Sequence, residues 1–158
     1  MKDGVKTALV SLISAIVGST LNPIVTHCLS KRNDITTIVY HDDAVHVGDE
    51  HKDSYPEGLK DGFAKEQTYT QLIPGHPAHG LITVEAADVD LIGAEVFFNG
   101  KLLDTLKPGR DWKDNGFYVA KDTFIEGANS IMLRSREWTD KQQTENFLFR
   151  KLRLEIKY

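Results

Sequence analysis

At 158 residues, with one cysteine and a net charge of -4, the chain has room for one ordinary domain and an appendage. A lone Cys28 excludes an internal disulfide and a paired-cysteine zinc site, and 41% hydrophobic with 27% charged residues excludes a disordered chain. Residues 33–100 carry 13 acidic and 3 basic side chains, a balance of -10, while residues 101–158 carry 9 acidic and 12 basic, a balance of +3. No broad basic stripe results, so long nucleic acid is not an expected partner.

The first element lies between Lys6 and Lys31, where 24 residues contain no Asp, Glu, Lys or Arg. About 20 helical residues cross a hydrocarbon core, so the length suffices for a transmembrane helix. Ser11, Ser14, Ser19, Thr20, Asn22 and His27 dilute the run, and Asn22-Pro23 should end or kink a helix. Three readings stand: a membrane anchor, a cleaved signal peptide, or a helix docked on a partner or on the domain. The anchor is the favoured one, dividing the chain into residues 1–32 and a soluble domain at residues 33–158. Ser11 and Ala15 are four apart, as are Ser14 and Gly18. Small residues at that spacing share a helix face and let two helices approach in lipid, which makes a homo-oligomer an expectation. Lys31 and Arg32 follow the span directly, a weak signal for a cytoplasmic carboxy-terminal domain.

After Asp34 the period becomes two. Strands are expected at residues 35–41, 68–73, 81–89, 94–98, 101–106, 116–120 and 130–136. The segment 42–66 exceeds a simple turn and has room for a short helix over residues 57–64. Asn99-Gly100 between apolar runs is a hairpin signal, because both residues tolerate positive φ in a type I′ turn. Gly127-Ala128-Asn129 reads as a turn, with Ile131 and Leu133 facing inward after it. The final strand alternates Leu152, Leu154, Ile156 and Tyr158 with charged residues, and Phe147 and Phe149 continue the apolar set after a phase shift near Arg150 that implies a bulge. About eight strands joined by hairpins give a mainly β fold, an antiparallel two-sheet sandwich of jelly-roll type behind one hydrophobic helix.

Val96, Asn99, Gly100, Phe117, Val119, Gly127, Asn129, Ile131 and Leu133 fall in the order strand, Asn-Gly turn, strand, Phe-x-Val, Gly-x-Asn turn and apolar strand. Over roughly residues 81–158 this resembles the galactose-binding-like jelly-roll superfamily, which includes many carbohydrate-binding modules. The resemblance implies a sandwich and a binding role. It carries over no ligand residue, because the superfamily holds lectins, protein binders and structural modules alike.

Counting strands places the loops at residues 42–66, 90–93, 107–115 and 137–145 at the end away from the amino-terminal helix. That end collects both tryptophans. Arg110, Asp111 and Asn115 accompany Trp112; Arg136 accompanies Trp138. Aromatic rings beside polar groups suit a sugar or nucleobase, so these six residues form the expected ligand site; the competing reading is that each tryptophan caps the core under its own loop. His41, His46 and His51 recur at five-residue spacing among acidic residues, a spacing that shares no helix or strand face, and no metal site is assigned. No nucleophile elbow, HExxH or phosphate loop occurs, so neither catalysis nor a cofactor is expected.

Three functions follow as expectations. The first is a membrane-anchored, non-catalytic binding module for a carbohydrate or protein. The second is a ligand-gated membrane effector sensing a small anionic ligand, such as a cyclic nucleotide, through Arg134, Arg136, Lys141, Arg150, Lys151 and Arg153. The third is a structural subunit of a larger assembly. The charge-free segment Thr7–Ser30 predicts that the full-length chain pellets with membranes and resists a carbonate wash; its recovery as a detergent-free soluble monomer would contradict the anchor.

Overall fold

The computed structural model describes residues 35–49, 55, 59, 64–137 and 144–158. The amino-terminal segment with Ser11, Ser14, Ala15 and Gly18, the greater part of the expected short helix over residues 57–64, and Trp138 with Lys141 lie outside the described residues. Among the described residues no helix is long and apolar enough to cross a membrane.

Among the described residues nine strands follow in order: β1 (Ile35–His41), β2 (Val45–Val47), β3 (Glu66–Ile73), β4 (His79–Ala87), β5 (Ala94–Phe98), β6 (Lys101–Thr105), β7 (Lys113–Ala120), β8 (Gly127–Ser135) and β9 (Phe147–Lys157). One sheet runs β1-β9-β4-β7, with β2 also on β9; the other runs β3-β8-β5-β6. Every pairing is antiparallel. The fold is therefore mainly β, two antiparallel sheets packed as a sandwich, as the alternating sequence predicts.

The alternation explains which face each strand buries. Ile82, Val84 and Ala86 of β4 meet Ile131 and Leu133 of β8, Val96 and Phe98 of β5, and Phe117 and Val119 of β7 in one core. In β9, Phe147 and Phe149 are fully buried, and so are Leu152, Leu154 and Ile156. Two such sets differ by an odd number of positions, so a regular strand would put one of them in water. The predicted bulge resolves this: Lys151 takes φ +52, and the β4–β9 register slips between Thr83 and Glu85. Tyr158, expected on the buried face, lies just past β9 and is exposed.

The Asn-Gly hairpin forms as expected. Phe98 pairs with Lys101, and Asn99 and Gly100 have φ of +50 and +77. Its side chain does more than permit the turn. Asn99 Nδ2 donates to the Thr123 carbonyl at 2.7 Å and to Asn129 Oδ1 at 2.8 Å, while its Oδ1 accepts from Ser130 N at 2.8 Å. Asn129 is fully buried and shapes the neighbouring turn, accepting from Ile125 N at 3.0 Å and donating to Ile125 O at 2.9 Å. Residues 127–129 thus begin β8 instead of forming the turn, which sits at residues 124–126; the asparagine stitches that turn from within the strand. The strand β2 was not expected: it continues the line of β1 along β9 after a break at residues 42–44.

Among the described residues, 48–49, 64–65, 88–93, 106–112, 136–137 and 144–146 lie at one end, and 74–78, 99–100 and 121–126 at the other. A Cβ added at Gly100 would meet nothing within 4 Å, so any side-chain cost there is backbone strain alone. Gly100→Val should lower the urea-unfolding free energy by about 1 kcal/mol or more; an unchanged midpoint would reject the positive-φ requirement.

Candidate functional site

The face of the β1-β9-β4-β7 sheet turned away from the core is set by register. Its cross-strand rows run His79–Ala120 beside Lys157, then Leu81–Tyr118 beside Glu155, then Thr83–Gly116 beside Arg153, then Glu85–Asp114 beside Arg150. Thr37 and Val39 of β1 extend the second and third rows. Tyr118 is 64% exposed, and its ring stacks on His79 with centroids 5.8 Å apart and planes at 28°. Leu81 lies exposed beside it. Gly116, exposed in the next row, has no side chain, and a Cβ there would meet only Leu81 Cδ1, at 3.7 Å. The result is a shallow trough between an aromatic platform and a row of polar side chains.

The other end of the same face is built by the β9 bulge, which turns two consecutive cations onto one carboxylate. Lys151 Nζ donates to Glu85 Oε1 at 2.5 Å and Arg150 Nε to Glu85 Oε2 at 2.6 Å. Those bonds, Lys151 foremost and Arg150 next, hold the Glu85 carboxyl below the usual glutamate range. The Arg150 guanidinium also lies over the Trp112 ring, 4.2 Å from its centroid. Trp112 packs in turn on Tyr55, Ala87 and Leu148, with Leu59 beside them. Trp112 and Tyr118 stand six residues apart on one strand line, about 20 Å at ~3.3 Å per residue.

The loop end of the sandwich is knit by polar contacts. Val89 and Gly109 exchange backbone bonds at 2.9 and 2.8 Å, and Glu145 Oε1 accepts from Asp90 N at 2.7 Å. His46 is fully buried; its Nε2 bonds Asn146 Oδ1 at 3.2 Å, and its ring lies 5.1 Å from that of Tyr55. Tyr55 donates to Asp88 Oδ2 at 3.0 Å, and burial and then the Asp88 charge push its hydroxyl well above the ordinary tyrosine range. Burial opposes the charge of Asp49, but bonds donated by Thr144 and Asn146 outweigh it and keep that carboxyl low.

Against this frame the expected site residues separate. Trp112 is half-buried under Arg150, not beside a free Arg110. Arg110 and Asp111 are exposed, and the Arg110 carbonyl accepts from Asp88 N. Asn115 is buried, its Oδ1 accepting from Lys107 N at 2.8 Å and its Nδ2 donating to Lys113 O at 2.9 Å, so it holds the β6–β7 connection. Arg136 donates to the Ile92 carbonyl at 2.9 Å and approaches Glu95 at 3.7 Å. The cations expected to take an anion are dispersed. Arg134 pairs with Glu95 at 2.7 Å on the other sheet, and Arg153 with Asp42 at 3.0 Å. His41 meets Tyr69 edge-on and the His46 ring lies tilted against Tyr55, so the described pair do not converge; His51 lies outside the described residues. Among the described residues no group of three or more His, Cys, Asp or Glu is arranged to hold a metal.

No protein-family model and no curated protein matches the chain. Among solved structures it is similar to the crystal structure of the CBM36-1 domain of a multidomain xylanase from the hindgut metagenome of Trinervitermes trinervoides. The likeness covers 73% of this chain and 98% of that one, at 14% identity and a TM-score of 0.39. At that level the likeness assigns neither ligand nor site.

Tyr118, His79, Leu81 and Gly116 were not singled out by sequence. The available signal was an aromatic in the wet phase of a strand: Gly116 and Tyr118 alternate with the buried Phe117 and Val119. The Glu85 cluster gives a pH prediction. A carboxyl whose folded value lies below its unfolded value, about 4.3 for glutamate, contributes stability that is present above that pH and lost as pH falls through the folded value. Its partners are well exposed, so the contribution stays within about 1 kcal/mol. Glu85→Gln should therefore unfold at slightly lower urea than the parent at pH 7, with the difference gone at strongly acid pH; a difference that persists or grows in acid would contradict the ion-pair reading.

Proposed function

We propose that the chain is a non-catalytic binding module, anchored to a membrane by its amino-terminal segment, that takes an extended carbohydrate along the outer face of the β1-β9-β4-β7 sheet. The observation that carries this reading is the Tyr118–His79–Leu81 platform, an exposed aromatic surface with Glu155 in its own row and Thr83 and Arg153 in the next. A pyranose presents an apolar face that stacks on a ring and hydroxyls that bond to polar side chains, which is the pairing this surface offers. Gly116 leaves the trough open for a chain to pass toward Trp112, whose ring edge with Asp111 and Arg110 at the loop end would meet the far units of a long ligand. Arg136 and Asn115 support that end by holding the loops at residues 92 and 107, and Trp138 follows Arg136 by two residues in the sequence.

The basic residues argue against a small anion as the preferred ligand. Arg134, Arg150, Lys151 and Arg153 each already pair with a carboxylate and fall on two different faces. Anchoring through residues 7–30 sets which compartment the ligand must come from, and protease accessibility in intact cells reads it directly.

Binding to immobilised plant and microbial polysaccharides tests the reading. Tyr118→Ala should abolish retention while leaving the thermal midpoint within a degree or two of the parent, because the ring is exposed; stacking of this kind is worth about 1–3 kcal/mol per face. Retention by the variant equal to the parent would remove the platform from the site.

A further inference from the structure

Edge strands expose unpaired N–H and C=O groups, and sheets ordinarily blunt them with charges, proline, glycine or bulges. Among the described residues the sheet edges are β1, with β2, and β7 on one sheet and β3 and β6 on the other. Three of these edges are blunted. The β1 ladder skips Tyr40 and breaks before β2. The β6 ladder skips Leu103, and the strand carries Lys101 and Asp104. The β7 strand carries Lys113, Asp114 and Gly116.

The strand β3 carries such a device only at its first residue, Glu66. It pairs with β8 in unbroken register over all eight residues, Glu66 with Arg134 through Ile73 with Gly127. From Gln67 to Ile73 it contains no charge, proline or glycine. Thr68, Thr70 and Leu72 are exposed on its outer face, Leu72 at 69%, while Gln67, Tyr69 and Gln71 are half-buried on the inner face.

Its sequence is also self-complementary. Residues 67–71 read Gln-Thr-Tyr-Thr-Gln, the same in both directions. Two copies laid antiparallel and centred on Tyr69 put Gln67 opposite Gln71, Thr68 opposite Thr70, and Tyr69 opposite its own equivalent. Identical threonine and aromatic pairs across antiparallel strands are favourable, and a two-fold interface requires such self-matching. No like charges meet in this register, because Glu66 falls opposite Leu72 and Lys65 opposite Ile73.

We propose that β3 is a homodimerisation edge: it pairs with β3 of a second copy about a two-fold axis at Tyr69, joining two four-stranded sheets into one of eight strands. The partner's backbone supplies the hydrogen bonds that the edge lacks among the described residues, and the palindromic register selects a second copy of this chain over an unrelated strand. This inference is independent of the carbohydrate reading, which concerns the other sheet.

The test uses the full-length chain in mild detergent, with Cys28→Ser as background. Thr68→Cys/Thr70→Cys places each thiol opposite a thiol of the second copy and should give a reducible covalent dimer on oxidation, whereas Thr68→Cys alone should not. Thr68→Lys/Thr70→Lys puts like charges face to face at two exposed positions. It should sediment as a monomer at concentrations where the parent is a dimer, with the circular dichroism spectrum and thermal midpoint retained. Association through residues 7–30 would survive the lysine change. A parent that stays monomeric, a dimer indifferent to the lysines, or a double-cysteine variant that does not cross-link would overturn the proposal; if the lysine variant fails to fold, the cross-link alone decides.

Discussion

The bulge in β9 is the constraint on which the rest of the sandwich depends. This strand pairs with β1, β2 and β4, so its face assignment sets which residues of all four are buried. Lys151 at φ +52 inserts the extra residue that lets Phe147, Phe149, Leu152, Leu154 and Ile156 all enter one core. Fully burying a side chain of this size is worth about 1.5–3 kcal/mol, whereas a residue with positive φ costs about 1–3 kcal/mol once. Two or three core residues, the set a regular strand would expose, against one strained backbone decides the balance. The same insertion turns Arg150 and Lys151 to the outer face, where Glu85 holds them and Trp112 lies under the guanidinium. Core and candidate surface are thus two consequences of one irregularity.

Much of this fold was legible in the sequence because it follows from short-range rules. Strict alternation over residues 151–157, the Asn99-Gly100 pair and the phase break near Arg150 each imply a local geometry that no distant contact overrides. The misassigned elements depend on partners far along the chain. The strand β2 has three residues inside a long segment and exists because β9 continues past the end of β1. Residues 127–129 carry turn-type residues, yet Asn129 is drawn into β8 because its side chain satisfies both Ile125 and Asn99. The amide there replaces a backbone turn, and sequence composition cannot distinguish the two.

The candidate site was less legible, and for a related reason. Loop counting brings residues 88–93, 106–112, 136–137 and 144–146 to one end, but it cannot say how each side chain there is spent. Asn115 and Arg136 are occupied with backbone carbonyls and amides that close those loops, and Trp112 meets Arg150, a residue 38 positions away whose direction the bulge sets. Tryptophan drew the eye because it is rare. Tyr118 is the more exposed ring, and it was marked only by lying in the wet phase of its strand. A surface on a sheet face is written as an alternation, one residue in two, and leaves no cluster in the sequence.

On the proposed reading, ligand contact centres on the sheet face and reaches the loop end only at Trp112, Asp111 and Arg110. Backbone amide shifts of the isotopically labelled chain, followed as an oligosaccharide is added, locate it directly. The account predicts that the largest saturable changes fall on Leu81, Thr83, Gly116 and Tyr118, with smaller ones toward Trp112. Changes confined to the loops at residues 88–93 and 107–111, with Gly116 and Tyr118 unmoved at saturation, would contradict it.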